Sequence, residues 1–281
     1  MNPHREAPPE GAGYQRSAYH LPPGPTARVL LSMLLSRRRN AVADASRFLA
    51  PPCPPPRAVG VENIPPHGPC LMVVNHYARP GLDAWWPAIL ATWALGQARP
   101  GAPIHWLMVS EWAWPTWQYR YVITPATRWA FGRLARLYDL ILTPPVLNDH
   151  YSSAQGAAAV RRFLTLARET ASQGHLVAMA PEGREGPLGA LTSLPPGAGR
   201  FLLLLARAGL PFLPAGISED PPGQLVVRFG PVFHLAQPPQ GGRAGADDRA
   251  AGQVMGRLAA LLPEALWGEY RPRQGNADAL K

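Results

Sequence analysis

At 281 residues and 30.4 kDa, with 47% hydrophobic and 16% charged residues, the chain is globular and long enough to bury a full α/β core. These values exclude a collagen, a coiled coil and a small disulfide scaffold. The 35 Pro and 27 Gly call for many loops, and 26 Arg, one Lys and 18 acids give a formal charge of +9 that favours anionic partners.

Residues 1–25 read as disordered, being Pro-containing and poor in apolar side chains. They show no basic segment followed by an apolar core and cleavage site, so secretion is not expected. Cys53 and Cys70, with no C-x-x-C pattern, read as free thiols of a reducing compartment. From Thr26 to Leu49 the pattern is helical, with the apolar run Val29 to Leu35 followed by Arg37-Arg38-Arg39. An apolar helix with a basic edge suits a membrane interface, with Leu31, Leu34 and Arg38 as contacts, and equally suits packing on the core. The Pro-rich segment 51–56 closes this arm.

Beyond it, strands are predicted at Val59–Val61, Cys70–Val74, Ile104–Val109, Leu140–Thr143, Leu176–Met179, Phe212–Ile217, Leu225–Phe229 and Val232–His234. They alternate with helices at Asp83–Gln97, Ser153–Gln173, Arg200–Ala208 and Asp248–Trp267, and an aromatic, basic stretch fills 111–137. The tail beyond Tyr270 reads as loose. Such alternation predicts a sheet flanked by helices. The longest apolar run without charge, Ala84 to Ala98, contains Pro87 and is too short to span a bilayer.

Two strand ends carry polar clusters. Leu71–Val74 runs into Asn75-His76, a loop with Pro80-Gly81, and Asp83. A carboxylate that fixes the tautomer of a histidine lets the imidazole take a proton from a hydroxyl; Asp83 is equally suited to cap the next helix. Leu176–Met179 runs into Pro181-Glu182-Gly183-Arg184-Glu185-Gly186. There glycine allows close approach of the backbone, Arg184 offers a fork for phosphate or carboxylate, and Glu182 accepts from a hydroxyl or orients Arg184. An ordinary tight turn explains the same residues.

The segment Gly60-Val61-Glu62-Asn63-Ile64-Pro65, followed by Val73-Val74-Asn75-His76, resembles the first block of the glycerophospholipid (1-acylglycerol-3-phosphate-like) acyltransferase family. Pro181-Glu182-Gly183, Gly197-Ala198 and Leu210-Pro211-Phe212-Leu213-Pro214-Ala215 resemble its later blocks, in family order over 60–217. The resemblance implies an α/β fold, a mixed β-sheet flanked by helices, here with an N-terminal helical arm. It divides the chain into 1–25, an arm and linker 26–56, an acyltransferase-like domain 57–270 and a tail 271–281. It implies an O-acyltransferase that moves an acyl group from acyl-CoA or acyl carrier protein, as co-substrate, to a hydroxyl of a lysophospholipid-like lipid. His76 would be the general base and Asp83 its orienting carboxylate. Asn75, Glu182, Gly183 and Arg184 would bind substrate, with the Gly183 N–H as oxyanion donor.

Three departures stand out. Six residues separate His76 from Asp83 where the family has four, so pairing requires Pro80-Gly81 to loop out. Pro144-Pro145 stand where the family often has a phosphate-gripping arginine, and Arg184 follows Gly183 directly where a threonine comes first. An acceptor other than glycerol phosphate fits the missing arginine.

Eight of nine tryptophans lie between 85 and 129, and 112–137 holds four arginines and no acid. That composition suits an anionic membrane surface, with Trp112, Trp114 and Trp117 as contacts; a Trp-rich core is the other reading. No nucleic-acid module, metal motif or cofactor fingerprint is found. The expectation is a peripheral enzyme on the cytoplasmic face of a membrane, and the alternative is a catalytically silent lipid- or acyl-binding protein of the same fold.

Overall fold

A computed structural model of the chain describes residues 17–51, 55–112, 117–143, 153–236 and 245–271. Seven strands, β1 (Arg57–Val59), β2 (Cys70–Val74), β3 (Ile104–Val109), β4 (Ile141–Thr143), β5 (Leu176–Met179), β6 (Phe212–Glu219) and β7 (Leu225–Phe229), form one sheet in the order β1-β7-β6-β2-β5-β3-β4. β6 and β7 are antiparallel and every other pairing is parallel, so the sheet is mixed, as the sequence predicts.

β2 explains why the sheet sits where it does. All five of its residues are buried, which marks a strand covered on both faces. Cys70, Met72 and Val74 point into one apolar cluster with Phe48, Leu49, Leu90 and Leu95. Leu71 and Val73 point into the other, with Phe163, Leu202, Leu205 and Val254. The helices are α1 (Pro23–Leu34), α2 (Ala41–Leu49), α3 (Trp85–Ala98), α4 (Trp117–Tyr138), α5 (Ser153–Ser172), α6 (Ala198–Arg207) and α7 (Ala246–Ala259). α2 and α3 line the first face; α5, α6 and α7 line the second. Burial drives the Cys70 thiol up to about 12, so it is a packing residue and not a nucleophile.

Several sequence expectations are corrected. The single helix expected over 26–49 is two, because Ser36 turns into the left-handed region and Asn40 starts α2 by accepting from the Ala43 N–H at 2.9 Å. Strand 232–234 is only a bridge between Phe233 and Phe212. The first strand ends at Val59, and Val61–Asn63 is a 3-10 turn. The last helix stops at Ala259, ahead of Pro263, and is followed by two further short turns. The unassigned stretch 111–137 is mostly α4, a helix that contains Pro125.

The arm is not a separate appendage. Phe48 and Leu49 are in the core, and Gly96 of α3 lets Val42 come so close that a Cβ there would lie 2.1 Å from Val42 Cγ1. Asp44 of α2 draws Arg39, Arg47 and Tyr138 together, which fixes α2 to the end of α4. Nor are residues 17–25 disordered: Tyr19 is buried, and its hydroxyl accepts from the Leu225 N–H at 3.0 Å. On the second face, Asp247 of α7 seals the start of α6, accepting from the N–H groups of Gly197 (2.7 Å) and Arg200 (2.9 Å). No helix among the described residues is long and apolar enough to cross a membrane.

Candidate active site

β2, β5 and β6 are parallel neighbours, so Asn75-His76, Glu182 and Glu219 emerge together at the carboxyl edge of the sheet, where open α/β sheets place their ligands. Three contacts weld these ends into one unit.

The first is Asn75. Where β2 leaves the sheet after Val74, the Ile217 N–H and C=O of β6 would lose their partners. The Asn75 amide, a copy of a peptide group, takes over: it donates to Ile217 O at 2.8 Å and accepts from Ile217 N at 2.7 Å. Asn75 therefore has a structural role, tying the end of β2 to β6.

The second is Glu182, which is 2% exposed. One carboxylate oxygen accepts from the His76 N–H at 2.7 Å and the other from the Thr192 N–H at 2.8 Å. It clamps the loop after β2 to the loop after β5, with both carboxylate oxygens engaged by backbone N–H groups. Burial raises its pKa to about 7 against the lowering effect of the two N–H donors and Arg184.

The third holds the loop between His76 and Asp83. Arg79 and Leu82 exchange backbone bonds (3.1 and 2.9 Å), so Pro80-Gly81 form a tight turn and do loop out. Arg79 is fixed to Glu219 through Nε and, at 2.7 Å, through Nη2, while the Tyr77 hydroxyl donates to the same carboxylate at 3.0 Å. Gly189, at φ +80°, lies flat on the Tyr77 ring, where a Cβ would come within 2.5 Å.

His76 Nδ1 is buried and has no hydrogen-bond partner, so the Asp83 carboxylate is not bonded to that nitrogen. α3 starts one residue beyond Ala84, and the Asp83 backbone C=O accepts from its Trp86 N–H at 3.1 Å. Burial lowers the pKa of His76, opposed by the nearby Glu185 charge. Glu185 stands in the 181–186 loop that the sequence singles out, and no local pattern links it to His76, 109 positions away.

Gly183 is exposed in the left-handed conformation, and its N–H turns back to Ala180 O at 3.3 Å. Arg184 is exposed and bonds Thr192 Oγ1 through Nε at 3.2 Å. Its two terminal nitrogens point to no hydrogen-bond partner among the described residues, so it is the one expected substrate contact whose donors remain open.

At the surface, Leu30, Leu31 and Leu34 of α1 and Leu35 just after it are more than half exposed, as are Tyr121, Val122 and Trp129 of α4. Arg133 joins the two helices, donating to the terminal carbonyls of α1 at Met33 and Leu34 while it lies over the Trp129 ring. Trp112 is 40% exposed and Arg38 is exposed. Trp114 and the Trp117 side chain lie outside the described residues. No cluster of three metal-ligating side chains occurs among the described residues.

No protein-family model matches this chain, and no curated protein matches it. Among solved structures it is similar to the 1-acyl-sn-glycerophosphate acyltransferase PlsC from Thermotoga maritima, at 15% identity and a TM-score of 0.43, over 84% of this chain and 88% of that one.

Proposed function

We propose that this protein is an O-acyltransferase that moves an acyl group from a thioester, acyl-CoA or acyl carrier protein, to a hydroxyl of a lysolipid at the cytoplasmic surface of a membrane. The observation that carries this reading is the Glu182 bridge. Two polar strand ends, 106 residues apart in the chain, are joined by a 2.7 Å bond to the His76 backbone.

His76 is the base. Burial keeps its imidazole neutral at physiological pH, and with Nδ1 enclosed, Nε2 is the nitrogen left for substrate. It takes the proton of the acceptor hydroxyl as the oxygen attacks the thioester carbonyl. The new C–O bond replaces the C–S bond, and the proton passes to the departing thiolate. General-base assistance of this kind is worth about 10²–10⁴-fold. Arg184 offers its open donors to the acceptor headgroup. The leucines of α1 and the aromatic residues of α4 seat the protein on lipid, helped by Arg37 and Arg38 on an anionic surface.

The test is to incubate purified protein with labelled acyl-CoA or acyl carrier protein and a mixture of lysolipids. Product that disappears with His76→Ala supports the reading. The unpaired Nδ1 favours a second reading, a catalytically silent lipid-binding protein. Liposome binding with no product from any donor and acceptor pair would establish it.

A further inference from the structure

One strand fixes the chain on both sides of His76. Ile217 of β6 holds Asn75, the residue before the histidine, through its backbone. Two positions further along β6, the Glu219 side chain holds Tyr77 and Arg79, which follow it. The His76 N–H itself is bonded to Glu182 at 2.7 Å.

The Glu219 hold is made with a buried charge: its side chain is 6% exposed and that of Arg79 10%. One carboxylate oxygen accepts from Arg79 Nε and, at 3.0 Å, from the Tyr77 hydroxyl, while the other accepts from Arg79 Nη2 at 2.7 Å. Arg79 Nη1 donates to Pro80 O at 2.9 Å, which carries the grip into the Pro80-Gly81 turn. A buried ion pair often stabilises a fold less than apolar residues of the same volume, but a two-pronged pair admits a single geometry. The N-terminal segment backs the cluster. The Tyr19 hydroxyl accepts from the N–H of Leu225, the register partner of Glu219 on β7, and the Tyr19 ring lies 5.6 Å from that of Trp86. Ser17 N stands 3.8 Å from where a Cβ on Gly81 would be.

A general base works only within hydrogen-bond reach of the hydroxyl it deprotonates, and a misplacement of about 1 Å, even from a remote change, can cost about a hundredfold in rate. Building on the acyltransferase reading, we propose that Glu219 is the positioning residue of His76: by holding Tyr77 and Arg79 it fixes where the imidazole stands relative to the acceptor hydroxyl. It acts through the chain, since Arg79 and Tyr77 engage both of its carboxylate oxygens.

The test is the histidine NMR spectrum of the full-length protein, with signals assigned by their loss in His76→Gln, His105→Gln and His175→Gln. Glu219→Gln, which keeps the shape and removes the charge, and Arg79→Lys, which keeps the charge and removes the fork, should both shift the His76 signal. The His105 and His175 signals, from the opposite edge of the sheet, should stay in place. In the transfer assay both variants should cut kcat roughly tenfold to hundredfold and leave KM for either substrate within about twofold. Tyr77→Phe, which keeps the ring and the ion pair, should move both readouts the same way by less, and it carries the test where the charge variants fail to fold. A His76 signal that does not move, a loss confined to KM, or movement of all three histidine signals together overturns the proposal, the last because it reports general loosening. The spectra decide this whether or not an acceptor has been found. Product that forms independently of His76 overturns the acyltransferase mechanism itself.

Discussion

Replacing Asn75 with alanine removes both partners of Ile217 at once. Asn75 is 1% exposed and Ile217 0%, so the N–H and C=O left behind are out of reach of bulk water. Each unmet buried group costs about 1–3 kcal/mol, and the two together about 2–6 kcal/mol. At roughly 2–4 °C per kcal/mol for a domain of this size, Tm should fall by about 5–20 °C. Urea unfolding followed by circular dichroism measures the change, with an unchanged m-value showing that the unfolded state is the same. Asn75→Asp supplies a sharper check. Its carboxylate accepts from Ile217 N–H but faces Ile217 C=O, whereas the protonated acid donates to that carbonyl. The folded-state pKa of the new acid is therefore raised, and the variant should be most stable at low pH and lose stability as pH rises through that value. An Asn75→Ala loss below about 1 kcal/mol would refute the peptide-mimic argument.

Glu182, raised to about 7 from 4.5, contributes stability that is fully present below pH 4.5 and lost as pH climbs through 7. Unfolding curves between pH 5 and 8.5 should show this alkaline decline in the native protein and not in Glu182→Gln. The opposite sign holds at the other edge of the sheet. There His105 and His175 stack, bonded at 3.1 Å, beside a cleft of about 300 Å³, and His175 is lowered first by burial and then by the His105 charge. Its contribution is present above pH 6.5 and lost as pH falls, so His175→Phe, which keeps the stack, should flatten the acidic decline. On the exposed leucine face of α1, Leu31→Asp with Leu34→Asp should weaken the liposome binding proposed above roughly hundredfold or more, since each leucine buried in lipid is worth about 1.5–3 kcal/mol. Binding by the native protein should also weaken with added salt. Equal sedimentation with vesicles would show that α1 does not enter the lipid.

How much of this was legible in the sequence depends on the range over which each signal acts. β2 and β5 announce themselves as short apolar runs that end in polar residues, and the strand ends that bear His76 and Glu182 follow directly. The roles of those residues do not follow. Asn75 and Glu182 look like substrate-facing polar side chains, yet each is engaged by a group 10 to 142 positions away that local pattern cannot specify. The break between α1 and α2 hinges on a left-handed Ser36, a conformation serine seldom takes, so periodicity ran straight through it. The docking of α2 rests on Gly96, whose only signal is a missing side chain in an apolar helix.

On the acyltransferase reading proposed above, the seal that Asp247 places on α6 bears on which acceptor would fit. α6 returns the chain from the end of β5 to the start of β6, so its first turn opens on the same edge as His76. The leading end of a helix attracts phosphate without help from arginine, because its free N–H groups and dipole are positive. Here a carboxylate from α7 already fills that role, and a phosphorylated acceptor reaching this spot meets like charge. The chain brings its own tenant to the vacancy that a phosphate would otherwise occupy, a bias toward acceptors whose headgroup is neutral at this point. Inorganic phosphate should then inhibit transfer weakly, and more strongly once Asp247→Asn has removed the charge.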